Sequence, residues 1–329
     1  MKNLICFDLE GPLSPQDNAY ELMGLFKDGF RIFEVLSRYD DILTLEGCKD
    51  YEPGDTLSLI IPFLVKHGIS EQDIRNVSNT ARIVDGVKEV FEELRKNWSA
   101  YIISTSFRQH AFNIASQLGI PEDHVYSTRL PLDEFRKKID EKDLKIVEEV
   151  EKVMIESLQE ASDEQVKKTL DEFYKKAGKT SLSILKTVKV VGGGRKLEAL
   201  NEIAGKEKKE LKDLVAVGDS ITDFKMLEAV KNNNGLAVVF NGNKYALPYG
   251  NIGVASSSML PLLDILKAFK QGGTRKALEL ASTWNNNPER LKKASMANLL
   301  QTNETEKQQI IEEHAQTRKQ VRGQASKLG

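Results

Sequence analysis

The sequence predicts an α/β protein: a doubly wound parallel sheet carrying two helical insertions and a C-terminal helical extension. Two observations predict it. Short apolar runs of strand length recur between amphipathic helical patterns, and acidic, hydroxyl or basic residues directly follow several of those runs. In an open α/β sheet, ligands bind at the carboxyl ends of the strands, so groups placed there converge on one edge.

Asn3 to Asp8 reads as a buried strand that stops at the Gly11-Pro12 turn signal. Residues 13–84 then carry helical spacing, including Tyr20, Met23 and Phe26, followed by Ile32, Val35, Leu36 and Tyr39, so a helical cap is expected there. Val84 to Lys96 is amphipathic, Ala100 to Ser104 is strand-like, and Phe107 to Leu118 is helical up to Gly119, which together make a βα unit. Val125 to Thr128 reads as a third strand. Between 131 and 186 the chain becomes strongly charged but keeps apolar residues at helical spacing. Ser162 to Gln165 has the form of a capping box, so a helical hairpin forms the second insertion.

Thr187 to Val191 leads back toward the sheet, Lys196 to Ile203 is a helix, and Leu214 to Gly218 and Gly235 to Phe240 are two further buried strands. Leu260 to Phe269 closes the core. The α/β domain is thus assigned to 1–12, 85–130 and 187–271, and the extension to 272–329. Beyond about residue 272 the pattern is all helical, with Asn287-Pro288 as a helix start. After Asn303 apolar residues become sparse. That helix is expected to add little to the core and to dock a second copy or a protein partner.

Composition narrows the function. With 40% apolar residues in 329, a sizeable core is available, and a net charge of −2 gives no global basic field for nucleic acid. Leu57 to Val65, the longest apolar stretch, is far too short for the ~20 residues of a membrane span, and Met1-Lys2-Asn3 runs straight into a strand. The two cysteines, Cys6 and Cys48, suit a reducing compartment, and a cytoplasmic location without membrane insertion is expected. Gly178-Lys179-Thr180 lacks the first glycine of a P-loop, having Phe173 there. His67, His110, His124 and His314 make no zinc-ligand pattern.

The chemistry lies in four places. Asp8 and Glu10, two apart at a strand end, point to one face, close enough to act as a nucleophile and an acid/base pair. Ser104, with Thr105 and the backbone N–H groups after it, stands near a helix N-terminus and can bind phosphate oxygens. Lys196, with Arg195 as a competitor, follows Gly192 to Gly194 and can offset phosphoryl charge. Asp219 and Asp223, four apart in Gly218-Asp219-Ser220-Ile221-Thr222-Asp223, can hold Mg²⁺. Helix capping accounts for one of these two acids more readily than for both.

In order and spacing these segments resemble the haloacid dehalogenase superfamily, in its phosphoserine-phosphatase-like branch, from Met1 to about Gln271. The resemblance implies a Rossmann-like core and a Mg²⁺-dependent phosphatase acting on a small phosphorylated metabolite. Asp8 would be the nucleophile and Glu10 its acid/base partner. Ser104 and Lys196 would bind phosphate, and Asp8, Glu10, Asp219 and Asp223 would form the metal site. The family's usual residue at position 10 is Asp, and the extra methylene of Glu10 moves the carboxyl by about one C–C bond, a shift to which in-line chemistry is sensitive. The resemblance also places Asp17 and Asn241 near the substrate. Alternatives are phosphotransfer to a small alcohol or a non-catalytic interaction subunit, because the insertions and tail also look like an archaeal group of predicted hydrolases, some labelled energy-converting hydrogenase A subunit R.

Overall fold

A computed structural model describes residues 2–47 and 51–327; Cys48 lies outside the described residues. Strand β1 (Asn3–Phe7) leads into the first insertion, which folds as α1 (Asn18–Met23), α2 (Gly29–Leu45), α3 (Thr56–Lys66) and α4 (Glu71–Asn79). The chain re-enters the core through α5 (Val87–Asn97), β2 (Trp98–Phe107), α6 (Arg108–Gln117) and β3 (Val125–Thr128). The second insertion holds α7 (Leu132–Arg136), α8 (Leu144–Glu156) and α9 (Asp163–Ala177). The Ser162 hydroxyl accepts from the Gln165 amide at 3.3 Å and the Gln165 side chain accepts from the Ser162 amide at 3.2 Å, the expected capping box.

The core resumes with α10 (Gly194–Glu207), β4 (Leu214–Gly218), α11 (Phe224–Asn232), β5 (Leu236–Phe240) and β6 (Ile252–Ala255). It ends with α12 (Pro261–Trp284), α13 (Pro288–Leu291), β7 (Ser295–Asn298) and α14 (Glu304–Arg322). The seven strands lie in the order β3-β2-β1-β4-β5-β6-β7, all parallel except β7. The chain runs outward from β1 through β2 to β3, then crosses to β4 on the other side of β1. The β1/β4 junction is therefore the topological switch point, where a crevice opens at the strand ends. Cys6 is buried in the core packed beneath α10 and α11, as a residue inside an apolar strand should be.

The structure departs from the sequence reading in three respects. The two insertions are one body: residues from α1, α2, α3, α8 and α9 share a single apolar cluster, and α2 packs on both α8 and α9. The region after residue 272 is not all helical, because Ser295–Asn298 adds an antiparallel strand to β6, with Met296 turned inward. The C-terminal helix packs on the α/β core. His314, Arg318 and Arg322 are buried, Ile310 and Ile311 lie against the cluster formed by β4, β5, α10 and α11, and α14 contacts β6. No helix among the described residues is long and apolar enough to cross a membrane.

Candidate active site

The switch point gathers the predicted residues. Phe7 pairs with both Ile102 and Val217, so the register brings Asp8 after β1, Ser104 within β2 and Asp219 after β4 to one edge of the sheet. The Asp8 amide donates to the Val217 carbonyl at 2.8 Å, which fixes the backbone as it leaves the sheet. Gly11, at φ +111°, turns the chain so tightly that a Cβ there would sit 2.1 Å from Asp219 Oδ2. Only glycine allows both that dihedral and that approach.

Lys196 resolves the choice between the two basic candidates. Its side chain is fully buried, and Nζ donates to Asp8 Oδ1 at 2.6 Å and Asp223 Oδ1 at 2.7 Å. Arg195 instead pairs with Asp55 at 2.7 Å, outside the carboxylate cluster. Burial alone would lower the Lys196 pKa, but Asp223 and Asp8 more than offset it and hold the ammonium above its usual range. Asp223 serves two purposes at once. Its Oδ1 faces Lys196, while Oδ2 accepts from the amides of Asp219 at 2.9 Å and Ser220 at 3.1 Å, so helix capping and site chemistry coincide in one side chain.

Asp8, Asp219 and Asp223 are all buried, and each offers one carboxylate oxygen within 4.8 Å of the others. Asp219 Oδ1 is buried with no hydrogen-bond partner, an arrangement costly for a carboxylate unless something else occupies it. Hard oxygen donors with an orphaned oxygen among them fit a divalent cation such as Mg²⁺. The Glu10 side chain does not belong to this set. Its Oε1 accepts from the Asn18 amide at 2.9 Å and it faces the cavity, so the structure corrects its assignment as a side-chain metal ligand. Burial beneath the cap, followed by the charge of Asp17, raises the Glu10 pKa well above the usual carboxylate range. The Asn18 amide and Arg322 only partly counter this. Burial and the nearby Asp223 likewise raise Asp8, against the pull of Lys196.

Above the carboxylates a cavity of about 70 Å³ is walled by Asp8, Glu10, Asp17, Thr105 and Arg322, with Phe33, Asp40 and Leu57 contributed by the cap. The sheet register slips between Ser104 and Phe107, which frees Thr105 and Ser106 from strand pairing at this edge. Ser104 is fully buried, and its hydroxyl pairs with that of Ser106 at 2.7 Å. The Thr105 hydroxyl, also buried, lacks a partner and lines the cavity. Asp17 caps α1 by accepting from the Tyr20 amide at 2.8 Å and also lines the cavity. Asn241 does not: its amide nitrogen donates to the Ser256 carbonyl at 2.7 Å and its oxygen accepts from the Ser256 amide at 2.9 Å, so it clamps β5 to the loop after β6 instead of facing substrate.

Three site residues escaped the sequence reading. Arg318 Nη1 donates to Asp219 Oδ2, and Arg322 Nη1 donates to the same oxygen at 3.1 Å. His314, one turn before Arg318, accepts from the Gly242 amide through Nδ1 at 3.0 Å. The signal was present as a polar stripe at positions 314, 318 and 322, four residues apart on one helix face. A wider groove of about 830 Å³ lies between α11, α12 and β7, but it contains none of these residues, and size alone does not make a reaction site.

Fold and carboxylates together define a hydrolase of the haloacid dehalogenase type. The sequence matches the haloacid dehalogenase-like hydrolase family over residues 65–246, more than half of the chain, and the chain belongs to that family. Among solved structures it is similar to a gene product of Archaeoglobus fulgidus, AF1437, at 28% identity and a TM-score of 0.87, over 100% of this chain and 99% of the other. That match includes α14. It is also similar to phosphoserine phosphatase with bound substrate (16% identity, TM-score 0.52) and to an analogue of that enzyme's phospho-aspartyl intermediate (17%, 0.51). Each of these is covered to 98% and covers 80% of this chain, a likeness of fold. No curated protein matches the sequence.

Proposed function

We propose that this chain is a phosphatase that hydrolyses a small phosphomonoester through an aspartyl-phosphate on Asp8. The observation that carries the reading is the convergence of Asp8, Asp219 and Asp223 with Lys196 around a carboxylate oxygen that has no protein partner. Asp8, Asp219 and Asp223 would hold Mg²⁺, which supplies positive charge to the phosphate oxygens and keeps the carboxylates ionised.

The protein's own groups do the remaining work. Lys196 holds Asp8 in place, and the Thr105 hydroxyl is free to donate to a phosphoryl oxygen. A carboxylate oxygen of Asp8 attacks phosphorus as the bond to the ester oxygen breaks. Glu10, whose pKa is raised by burial beneath the cap and by the charge of Asp17, gives its proton to the departing alkoxide, which leaves as the alcohol. The Glu10 carboxylate then takes a proton from a water that attacks phosphorus, releasing phosphate and restoring Asp8. The small cavity beneath the cap favours a small substrate.

A screen of phosphorylated metabolites with Mg²⁺, scored by free phosphate, tests the proposal. Adding small alcohols in the same assay separates hydrolysis from phosphotransfer. Release of phosphate by the parent and by Asp8→Asn at equal rates would sink it.

A further inference from the structure

The structure assigns a further substrate-binding residue: we infer that Arg322, delivered by the C-terminal helix, binds an anionic group of the substrate in the cavity. The anion is either the phosphoryl group itself or a second acidic group on the ester. Its identity as part of a phosphomonoester rests on the function proposed above.

The two arginines of α14 are used differently. Arg318 is tied down on several sides: its Nε donates to the Ser326 carbonyl at 3.1 Å, and Nη1 reaches the Asp219 carboxylate and the carbonyls of Asp219 and Asn241, each at 3.4 Å. It fastens the helix and holds Asp219. Arg322 lies one turn further along, where Nε donates to the Pro15 carbonyl at 3.2 Å and Nη1 to Asp219 Oδ2 at 3.1 Å. Its Nη2 makes no hydrogen bond among the described residues, although the side chain is only 4% exposed and lines the cavity beside Asp8 and Glu10. The guanidinium is thus anchored by two of its nitrogens and leaves the third open toward the cavity that it lines.

The charge in the cavity shows what the free arm is for. Asp8, Glu10, Asp17 and Asp40 all line it, and a phosphate dianion entering among them meets carboxylates on several sides. Lys196 is already shared between Asp8 and Asp223. Arg322 is the one basic side chain in the cavity wall among the described residues, and its planar fork suits phosphate or carboxylate oxygens. A residue at the C-terminal end of the chain thus completes a site begun at Asp8.

Calorimetric binding at fixed Mg²⁺ tests this with the full chain and with Arg322→Lys and Arg322→Gln. The probes are inorganic phosphate, ethyl phosphate, and phosphoglycolate, which carries a second acid. If Arg322 holds the phosphoryl group, both variants bind phosphate at least tenfold more weakly. If it holds a second acid, phosphate binding is kept and the preference for phosphoglycolate over ethyl phosphate falls at least tenfold. Melting temperature checks folding, and Arg322→Lys, which keeps the charge and can still reach Asp219, keeps the test interpretable if Arg322→Gln fails to fold. The assignment is overturned if Arg322→Lys and a folded Arg322→Gln both stay within twofold of the parent on every probe. It is also overturned if the variants bind Mg²⁺ more tightly with phosphate binding unchanged, which would make Arg322 a guard of the metal site. A parent that binds phosphate in an Arg322-dependent way yet hydrolyses no ester leaves this assignment standing and overturns the phosphatase reading.

Discussion

Arg318 donates to Asp219 across 99 residues of sequence, joining the last helix to the acidic residue that follows β4. Both side chains are buried, with 3% and 1% of their surface exposed, so neither charge has water to fall back on. Removing one partner of such a pair typically costs about 3–5 kcal/mol when the other charge stays uncompensated, and the second arginine on Asp219, Arg322, moderates that cost to its lower end. Arg318→Ala should therefore lower stability by that order in chemical denaturation. Truncation after Asn303 should lower it further by exposing the face that Ile310 and Ile311 cover. A truncated chain with the parent's melting temperature would show that the helix is dispensable to the fold.

Asp8→Asn should abolish turnover, roughly a thousandfold or more, while leaving the fold intact. The amide can still accept from Lys196 Nζ, which keeps its ion pair with Asp223, so the thermal transition should move little. Activity of the parent should require Mg²⁺ and should be poorly supported by Ca²⁺, whose looser coordination misplaces the in-line geometry. Full activity in EDTA contradicts the role given to the three carboxylates.

At Glu10 the prediction concerns proton transfer. Glu10→Gln should slow turnover strongly, because an amide can neither give nor take the proton. Glu10→Asp should retain or raise the rate if reach is all that separates this site from the family pattern. Since burial holds the Glu10 pKa high, kcat for the parent should fall as pH rises through that raised value, and Glu10→Gln should lose this basic limb. Identical pH profiles in parent and variant would remove Glu10 from the mechanism.

The core strands could be read from sequence because parallel strands covered on both faces are continuous apolar runs, as in Leu4 to Phe7 and Leu214 to Val217. Asp8, Lys196, Asp219 and Asp223 could be read because each follows such a run or a glycine turn. β7 could not: Ser295-Met296-Ala297-Asn298 contains one large apolar residue, and its pairing with β6 is decided by the sheet, not by local propensity. Nor could the union of the two insertions, since α2 and α9 meet through contacts with no local signature, such as Arg38 with Asp163 and Tyr39 with Asp171. The packing of the tail is not legible in its apolar residues, because the side chains it buries are polar. It docks through His314, Arg318 and Arg322, whose burial depends on acceptors supplied by Asp219 and Pro15 and on the N–H donated by Gly242, groups far away in sequence.

Gly11→Ala should damage the site without touching any charged group. The new methyl would meet Asp219 Oδ2 at 2.1 Å in a backbone region unfavourable for alanine, so either the turn or the carboxylate must move. Mg²⁺ affinity measured by calorimetry should fall at least tenfold, with a stability loss of about 1–3 kcal/mol. Unchanged Mg²⁺ binding would show that Asp219 is not held where the metal needs it.

His314 makes docking of the C-terminal helix sensitive to acid. Burial, reinforced by the neighbouring Arg318, pushes its pKa down from 6.5 to about 3, and the neutral ring accepts the Gly242 N–H at Nδ1. Protonation would place an N–H against an N–H. Because the folded-state pKa is depressed, the contribution to stability is complete above about pH 6.5. It is lost as pH falls toward the folded-state value, at up to roughly 1.4 kcal/mol per pH unit. His314→Asn keeps an acceptor near the same place but does not titrate. Between pH 7 and pH 5 the parent should lose more stability than this variant, by about 1–2 kcal/mol in denaturant titrations. Parallel stability curves for the two proteins over that interval would mean that His314 stays neutral for reasons unconnected with holding α14 to the core.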